Sequence, residues 1–403
     1  MQSFDFSYPT TVHFGEGALA RSLPGELEKV GKTVMLAYGG GSIKRNGVYD
    51  AVMELLAKAG KDVVEFDGIM PNPTYAKVQE GARLAREKNV DFILAVGGGS
   101  VIDCVKIVSV QAWEGRDLWT MEFEDHEFPE PGVGIPCGAV VTIFGTGAEM
   151  NNGAVITNEA TKQKNGMMGS FHSFAVLDPA YTLSAPMRQA LSGAFDMLSH
   201  SMETYFGAPH DNNLSDLIAE ANMRCIIDNT RKMIAAPEDL DPRGELFWAS
   251  AMAENGILKI GKATAFQAHM IEHQLGAYTD CNHGFGLAVI HPTMYRHMMG
   301  GAPEKFARFA TEVWGVEAEG KTVDELAGAG ARRVRAPALS PSHAREASLT
   351  QGLVEHDGNS VGEVERADAV VLGVDEVAAD VPGEKGRVVA PLARRAPTSR
   401  VLE

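Results

Sequence analysis

Five side chains of metal-binding type lie at helical spacing in the second half of the chain. Asp196 and His200 are four residues apart, His269 and His273 repeat that spacing, and His283 follows ten residues later. Residues four apart share one face of a helix, so each pair would present two ligands together. One carboxylate with several imidazoles suits Zn²⁺ or Fe²⁺ far better than Ca²⁺ or Mg²⁺, which prefer oxygen ligands.

The same spacing is also compatible with a structural role. The chain has 12 histidines, so acid/His and His/His pairs at this spacing also arise by chance. Neighbours on a helix face are common and seldom bind metal. The spacing alone therefore leaves metal binding open, and it leaves His273 as eligible a ligand as the other histidines.

The elements that must position these residues fall into two groups. Up to about residue 180, short β-rich runs alternate with helical patterns, which predicts a parallel sheet covered by helices. From residue 181 to 314 the apolar spacing is helical, so we place a domain boundary near residue 180. The predicted strands are residues 33–38, 62–66, 91–96, 139–143 and 174–178, with an amphipathic helix ending near residue 88.

Two glycine-rich turns follow predicted strands and are candidates for nucleotide binding. The second, residues 97–100, runs from a buried strand directly into a helix start. Free backbone N–H groups and the helix dipole at such a point favour a pyrophosphate. The turn matches neither the Gly-x-Gly-x-x-Gly fingerprint nor a Walker loop. A tight turn without a ligand is the alternative.

The first turn, residues 39–42, bears on nucleotide specificity. A dinucleotide fold often places an acidic residue after this strand to bind the adenosine ribose. Here the place holds glycines and Ser42, followed by Lys44 and Arg45. Because no carboxylate would repel a 2′-phosphate, NADP(H) is favoured over NAD(H). The alternative is that the two cations are only a solvated helix start.

Charge and composition exclude several classes of partner. The net charge of −17 argues against nucleic acid or an anionic membrane. No apolar stretch approaches the ~20 residues of a membrane span, and the first residues do not resemble a signal peptide, so we expect a cytoplasmic protein. Four scattered cysteines without a Cys-x-x-Cys fit reduced thiols rather than a disulfide framework.

Taken in order, the motifs resemble the iron-containing (group III) alcohol dehydrogenases, and the NADPH-dependent butanol dehydrogenase type is the most similar branch. The resemblance covers about residues 5–325. It is carried by Gly-Gly-Gly-Ser-Val-Ile-Asp at 97–103, Pro-Asn-Pro-Thr at 71–74, Gly-Thr-Gly-Ala-Glu at 145–149, Asp-x-x-x-His at 196–200 and His-x-x-x-His at 269–273 with His283-Gly284 following.

The resemblance implies a dehydroquinate synthase-like architecture. An α/β dinucleotide-binding domain (1–180) would be followed by an all-α metal-binding domain (181–330), with the active site between them. It implies that Asp196, His200, His269 and His283 hold one divalent metal, Fe²⁺ or Zn²⁺, and that His273 stays off the metal near the nicotinamide. A homodimer or larger assembly is also implied. The implied cofactor contacts are Gly40, Gly41, Ser42, Asn72, Gly98, Gly99, Ser100, Asp103, Thr142, Thr146, Lys164 and Leu183.

These roles predict hydride transfer between NADP(H) and small primary alcohols or aldehydes. The metal would act as a Lewis acid on the substrate oxygen. His273, with an ordinary pKa of ~6.5, would pass the proton to solvent, or would only orient neighbouring groups. A glycerol-type polyol dehydrogenase is one alternative. A dehydroquinate synthase-like lyase is another, but it needs a basic cluster that residues 190–290 do not show.

The last residues, 331–403, depart from the family pattern. No aromatic residue follows Trp314, and nine arginines but one lysine occur from Ala331 onward. One hypothesis is a diverged terminus. The other, which we favour, is a reading-frame change in the coding sequence near Ala329, which sequencing of the coding region would test. If the helical domain lost its packing partners in this way and did not fold, the chain would be a catalytically inactive binding protein. This is a third possible function.

Overall fold

The computed structural model describes residues 3–334, so both hypotheses about the tail fall largely outside the described residues. The strands of this part are β1 (Thr11–Phe14), β2 (Thr33–Tyr38), β3 (Asp62–Phe66), β4 (Phe92–Gly97), β5 (Cys137–Val141), β6 (Gly153–Asn158), β7 (Gln163–Met168) and β8 (Phe174–Leu177). Six of them form a parallel sheet in the order β1-β8-β5-β4-β2-β3. The other two, β6 and β7, form an antiparallel hairpin.

Helices cover the sheet and then make up the rest of the described chain. Those in the first part are α1 (Ala18–Leu27), α2 (Ser42–Arg45), α3 (Val48–Lys58), α4 (Tyr75–Glu87), α5 (Gly99–Trp113) and α6 (Leu118–Phe123). Those in the second part are α7 (Met187–Tyr205), α8 (Leu214–Ala235), α9 (Leu240–Glu254), α10 (Gln267–Thr279), α11 (His283–Met298), α12 (Pro303–Arg308) and α13 (Val323–Arg333). Among the described residues no helix is both long and apolar enough to cross a membrane.

The predicted architecture is confirmed, and each predicted strand lies within two residues of an observed one. The boundary near residue 180 stays a proposal; it falls between the last strand and the first long helix. α13 extends three residues past residue 330, and the side chains of Ala331 and Val334 are buried. The sequence predicted neither the short β1 nor the β6–β7 hairpin, because β7 is a largely polar run without regular alternation of apolar residues.

The sheet order brings the predicted nucleotide-binding turns together. β4 lies between β2 and β5, and all three strands are parallel. Their carboxyl ends therefore meet at one edge, where ligands of open α/β sheets commonly bind. The larger hydrophobic cluster runs from this sheet through α5 into α7, α8 and α9, so one apolar core joins the sheet to the helical part.

Candidate active site

Asp196 and three histidines converge where α7, α10 and α11 meet. The Oδ1 atom of Asp196 lies 3.7 Å from Nε2 of His200, 3.6 Å from Nε2 of His269 and 3.4 Å from Nε2 of His283. The first two residues lie on α7, and His283 is the first residue of α11. Asp196, His200, His269 and His283 thus lie together at one point, whereas His273, the other member of the second i,i+4 pair, does not belong to this group.

The donor set fits a divalent transition metal. Donor atoms bound ~2.1 Å from one ion lie ~3.4 Å apart at the tetrahedral angle, close to the observed distances. Within the described part of the chain, Asp196 Oδ1 and His269 Nε2 have no hydrogen-bond partner although both are buried. Buried polar atoms normally have partners, so such a pair at the centre of the cluster fits a site for a metal ion.

Each of the three imidazoles is backed by a buried glutamate on its far side. Nδ1 of His269 is hydrogen-bonded to Glu203, and Nδ1 of His283 to Glu272. Oε1 of Glu254 lies 3.9 Å from Nδ1 of His200. For His269 and His283, the hydrogen-bonded carboxylate on the second ring nitrogen fixes the tautomer that leaves Nε2 free to bind metal.

Sequence reasoning missed these three glutamates. Glu203 and Glu272 each lie three residues after a predicted ligand, on the same helix face, so a weak signal was present. The sequence carries no comparable signal for Glu254, which ends α9 and reaches His200 through tertiary packing.

The charges of the site are strongly coupled. Burial would raise the pKa of Asp196, but the imidazoles of His200 and His283 outweigh it and hold that pKa well below its usual range. Burial would lower the pKa of His269, yet the nearby carboxylates of Asp196 and Glu203 raise it to about 9. Without metal, protons on the imidazoles of His269 and His283, whose pKa values are raised, balance the carboxylates, so metal and protons compete for one place.

His273 lies beside this cluster but outside it. Its ring centroid is 6.2 Å from that of His269 and 5.8 Å from that of His283. Burial lowers its pKa to about 2, so the ring is neutral across the physiological range rather than titrating near 6.5. Neither ring nitrogen has a hydrogen-bond partner among the residues of the described structure, and the side chain lines the site cavity.

The backbone at the start of α11 positions His283. Asn282 caps the helix by accepting a hydrogen bond from the Phe285 N–H, and it also accepts one from Ser192 Oγ on α7. A Cβ on Gly284 would lie 2.1 Å from the backbone oxygen of Ser192. Glycine after His283 therefore allows the close approach of α11 to α7 on which the position of His283 depends.

The candidate ligands share a cavity of about 440 Å³ with part of the predicted nucleotide site. Predicted cofactor contacts that line it are Asn72, Ser100, Asp103, Thr146 and Lys164. The others lie outside its lining, in the turns after β2, β4, β5 and β8, at the adjoining sheet edge: Gly40, Gly41, Ser42, Gly98, Gly99, Thr142 and Leu183.

The glycines of the 97–100 turn serve packing as well as ligand access. A Cβ on Gly99 would lie 2.4 Å from Oγ1 of Thr146, and one on Gly98 would lie 2.8 Å from Ile143. The turn therefore packs against the loop that follows β5. No side chain caps the N-terminus of α5, whose backbone N–H groups are available to an anion.

Three predicted cofactor contacts have protein partners in the structure. Lys164 Nζ is 3.2 Å from Oε2 of Glu272, the carboxylate that backs His283. Asp103 accepts a hydrogen bond from the Val155 N–H at 3.0 Å. The Asn72 side chain donates to Asp280 at 2.7 Å, across the cleft between the two parts.

Comparison with known proteins shows the family of the chain. The model of the iron-containing alcohol dehydrogenase family matches residues 9–179, and that of the family's C-terminal part matches residues 190–352. The chain is 41% identical over 330 residues to probable NADH-dependent butanol dehydrogenase 1 of Bacillus subtilis, covering 81% of this chain and 84% of the relative. It is 35% identical over 325 residues to the NADPH-dependent aldehyde reductase YqhD of Escherichia coli, covering 78% and 81%.

Solved structures of similar proteins share the fold. NADH-dependent butanol dehydrogenase A of Thermotoga maritima superposes with a TM-score of 0.77 at 32% identity, covering 93% of this chain and 98% of that one. The family implies a divalent metal and NAD(P)(H), and the relatives are named for either nucleotide. This chain belongs to the iron-containing alcohol dehydrogenase family and is an NAD(P)-dependent oxidoreductase of alcohols and aldehydes.

Proposed function

We propose that Asp196, His200, His269 and His283 hold one Fe²⁺ or Zn²⁺ and that the chain interconverts small primary alcohols and aldehydes with NADP(H). The observation that carries the proposal is the convergence of three Nε2 atoms on Asp196 Oδ1, within 3.7 Å, in a cavity shared with the nucleotide edge of the sheet. When bound, the ion supplies Lewis-acid stabilisation of the negative charge that develops on the substrate oxygen.

The protein's own groups hold and orient the reactants. Glu203 and Glu272 hold the rings of His269 and His283 by hydrogen bonds from behind. Phe266 and Met270 form part of the cavity wall beside the ligands.

We propose that His273 passes the proton of the alcohol as a neutral ring. One nitrogen would accept a proton while the other releases one, because burial keeps the imidazolium form unfavourable. The same position would also let the ring orient the nicotinamide without proton transfer. Replacement of His273 by Asn, which keeps a polar group but cannot relay a proton, distinguishes the two roles by its effect on kcat.

The preference for NADP(H) rests on the first glycine-rich turn. The 39–41 segment has no carboxylate, and Arg45 is exposed at the end of α2. Lys44 lies 3.6 Å from Glu65 of the neighbouring β3, so the cation that we expected to serve a 2′-phosphate also neutralises a nearby carboxylate. We expect Arg45→Ala to lower kcat/KM for NADPH but not for NADH. Equal losses with both nucleotides would contradict this assignment.

The function is tested by oxidation of NADPH with butanal after metal-free protein is loaded with Fe²⁺ or Zn²⁺. Dihydroxyacetone and a phosphorylated keto acid serve as comparison substrates for the polyol and lyase alternatives. We expect turnover of butanal, and turnover of the phosphorylated acid alone would contradict the proposal. The proposed homodimer or larger assembly is tested separately by light scattering of the eluted protein.

A further inference from the structure

Two polar contacts join the nucleotide side of the cleft to the helices on its other side. Asn72 donates a hydrogen bond to Asp280 at 2.7 Å, and Lys164 donates one to Glu272 at 3.2 Å. Both donors are proposed nucleotide contacts, and both line the cavity that contains the candidate metal ligands. We call the Asn72–Asp280 and Lys164–Glu272 contacts the two cleft bridges.

The acceptors of both bridges belong to the segment α10–α11, which carries two of the proposed metal ligands. Glu272 lies three residues after His269 on α10. Its Oε2 atom accepts a hydrogen bond from Lys164 and is also hydrogen-bonded to Nδ1 of His283. Asp280 follows the end of α10 and lies three residues before His283. The position of His283 therefore depends on both acceptors.

The donors of both bridges are joined to each other through the backbone of the β6–β7 hairpin. Lys164 on β7 pairs with Thr157 on β6. The backbone N–H of Thr157 donates to the carbonyl of Pro73, the residue after Asn72, at 2.9 Å. A nucleotide that contacts one donor therefore also restrains the segment that carries the other.

The local structure around each bridge is specialised for the contact. The side chains of Lys164 and Glu272 are 4% and 0% exposed, so each is the charged partner that the other needs away from water. Gly276 gives the lysine room, because a Cβ there would lie 3.1 Å from Nζ of Lys164. Asn72 and Asp280 have φ angles of 51° and 52°, a backbone region that residues other than glycine seldom adopt and that is found at functional sites.

We propose that the two cleft bridges couple nucleotide binding to metal binding, with Lys164 and Asp280 as positioning residues. The inference rests on the proposed function. A bound nucleotide fixes Asn72 and Lys164, so the α10–α11 segment is already ordered when the metal binds, and a bound metal orders the same segment for the nucleotide. Preorganisation of this kind raises both affinities, and thermodynamic linkage requires that both rise by the same factor.

The experiment measures the Kd of NADPH, by its fluorescence, for metal-free protein and for protein loaded with Zn²⁺. For wild type we expect NADPH to bind about tenfold more tightly with metal, and chelator competition should show an equal rise in Zn²⁺ affinity when NADPH is bound. Asp280→Gly removes one acceptor, tolerates the left-handed backbone and leaves the proposed ligands and nucleotide contacts in place. It should reduce the factor to about threefold or less. Asp280→Asn keeps the acceptor oxygen without the charge and should retain the wild-type factor.

A second variant tests the buried bridge. Lys164→Met should weaken NADPH binding overall, and it should also bring the factor between metal-loaded and metal-free protein to within about twofold of one. The matched control is Lys162→Met, an exposed lysine of the same hairpin, which should keep the wild-type factor. Thermal unfolding of each variant verifies that it is folded.

The outcomes separate the coupling from the proposed function. Equal NADPH affinities of metal-free and metal-loaded wild type would overturn the coupling. A factor that either Asp280→Gly or Lys164→Met leaves at the wild-type level would overturn it as well. Failure of the wild-type protein to bind Zn²⁺ or NADPH at all would instead contradict the proposed function.

Discussion

At the scale of single residues, the proposed metal site depends on carboxylates behind the ligands as much as on the ligands. The sequence indicated the ligand types and the spacing of both pairs, since i,i+4 contacts are local. It did not indicate that a glutamate lies behind each ring, because all three of these contacts join residues of different helices. Local patterns carry no information about such tertiary contacts.

The glutamates behind the rings should control metal affinity. We expect Glu203→Gln and Glu272→Gln each to weaken metal binding by about 10- to 100-fold, because the amide neither stabilises the correct tautomer nor strengthens the imidazole as a ligand. Competition with a chelator measures the change. Glu54→Gln, an exposed substitution on α3, is the control. Affinities within twofold of wild type in both variants would mean that the glutamates only fill space.

The raised pKa of His269 predicts how metal affinity changes with pH. Its pKa in the metal-free protein is about 9, above the ordinary value, so the ring holds a proton below pH 9 that metal must displace. The apparent affinity should therefore rise with pH between 7 and 9, by up to about tenfold per unit, and level off above 9. Chelator competition in buffered steps measures this slope. A constant affinity over this range would contradict the prediction.

His273 should affect the reaction without affecting the metal. We expect His273→Asn to lower kcat by about 10²-fold or more if the ring passes the proton. Metal content should stay at the wild-type level, because this ring lies outside the ligand cluster. Burial keeps the pKa of His273 near 2. We therefore expect that the pH profile of kcat in the wild-type protein has no inflection near pH 6.5 that comes from this ring, so the variant has none to lose. A kcat close to wild type would leave the ring only an orienting role.

At the scale of elements, the sequence predicted the strands and the glycine-rich turns well. Buried parallel strands are short continuous apolar runs, which are easy to recognise in β2, β4 and β5. The β6–β7 hairpin was not recognisable, although it supplies Lys164 and Met168 to the site. Its contribution depends on contacts with α5 and α10 that form only in the folded protein.

The close approach of α11 to α7 gives a prediction at this scale. Gly284→Ala places a Cβ 2.1 Å from a backbone oxygen, so α11 must move away and carry His283 with it. We expect a loss of stability on the order of 1–3 kcal/mol, a Tm lower by several degrees and weaker metal binding. Gly300→Ala is the matched control, because nothing lies within 4 Å of that position. A Gly284→Ala protein with wild-type Tm and metal affinity would show that the contact is not restrictive.

At the scale of the whole molecule, the site is built where the two halves of the chain meet. The nucleotide edge of the sheet and the metal-binding helices line one cavity, and one hydrophobic cluster connects the halves. The order of motifs along the sequence predicted this arrangement through family resemblance, whereas spacing alone did not. Neither the family resemblance nor the spacing predicted the hydrogen bond from Asn72 to Asp280 across the cleft, because it joins residues 208 positions apart.

The central claim is that four residues of the helical half hold a metal on which reduction of aldehydes depends. The most direct test measures metal content and NADPH oxidation with butanal on the same preparations of wild type and Asp196→Ala. The account predicts one Fe²⁺ or Zn²⁺ per wild-type chain, and loss of both metal and activity in the variant despite an unchanged circular dichroism spectrum. Wild-type activity that survives complete removal of metal, or an Asp196→Ala protein that keeps both metal and turnover, would contradict it.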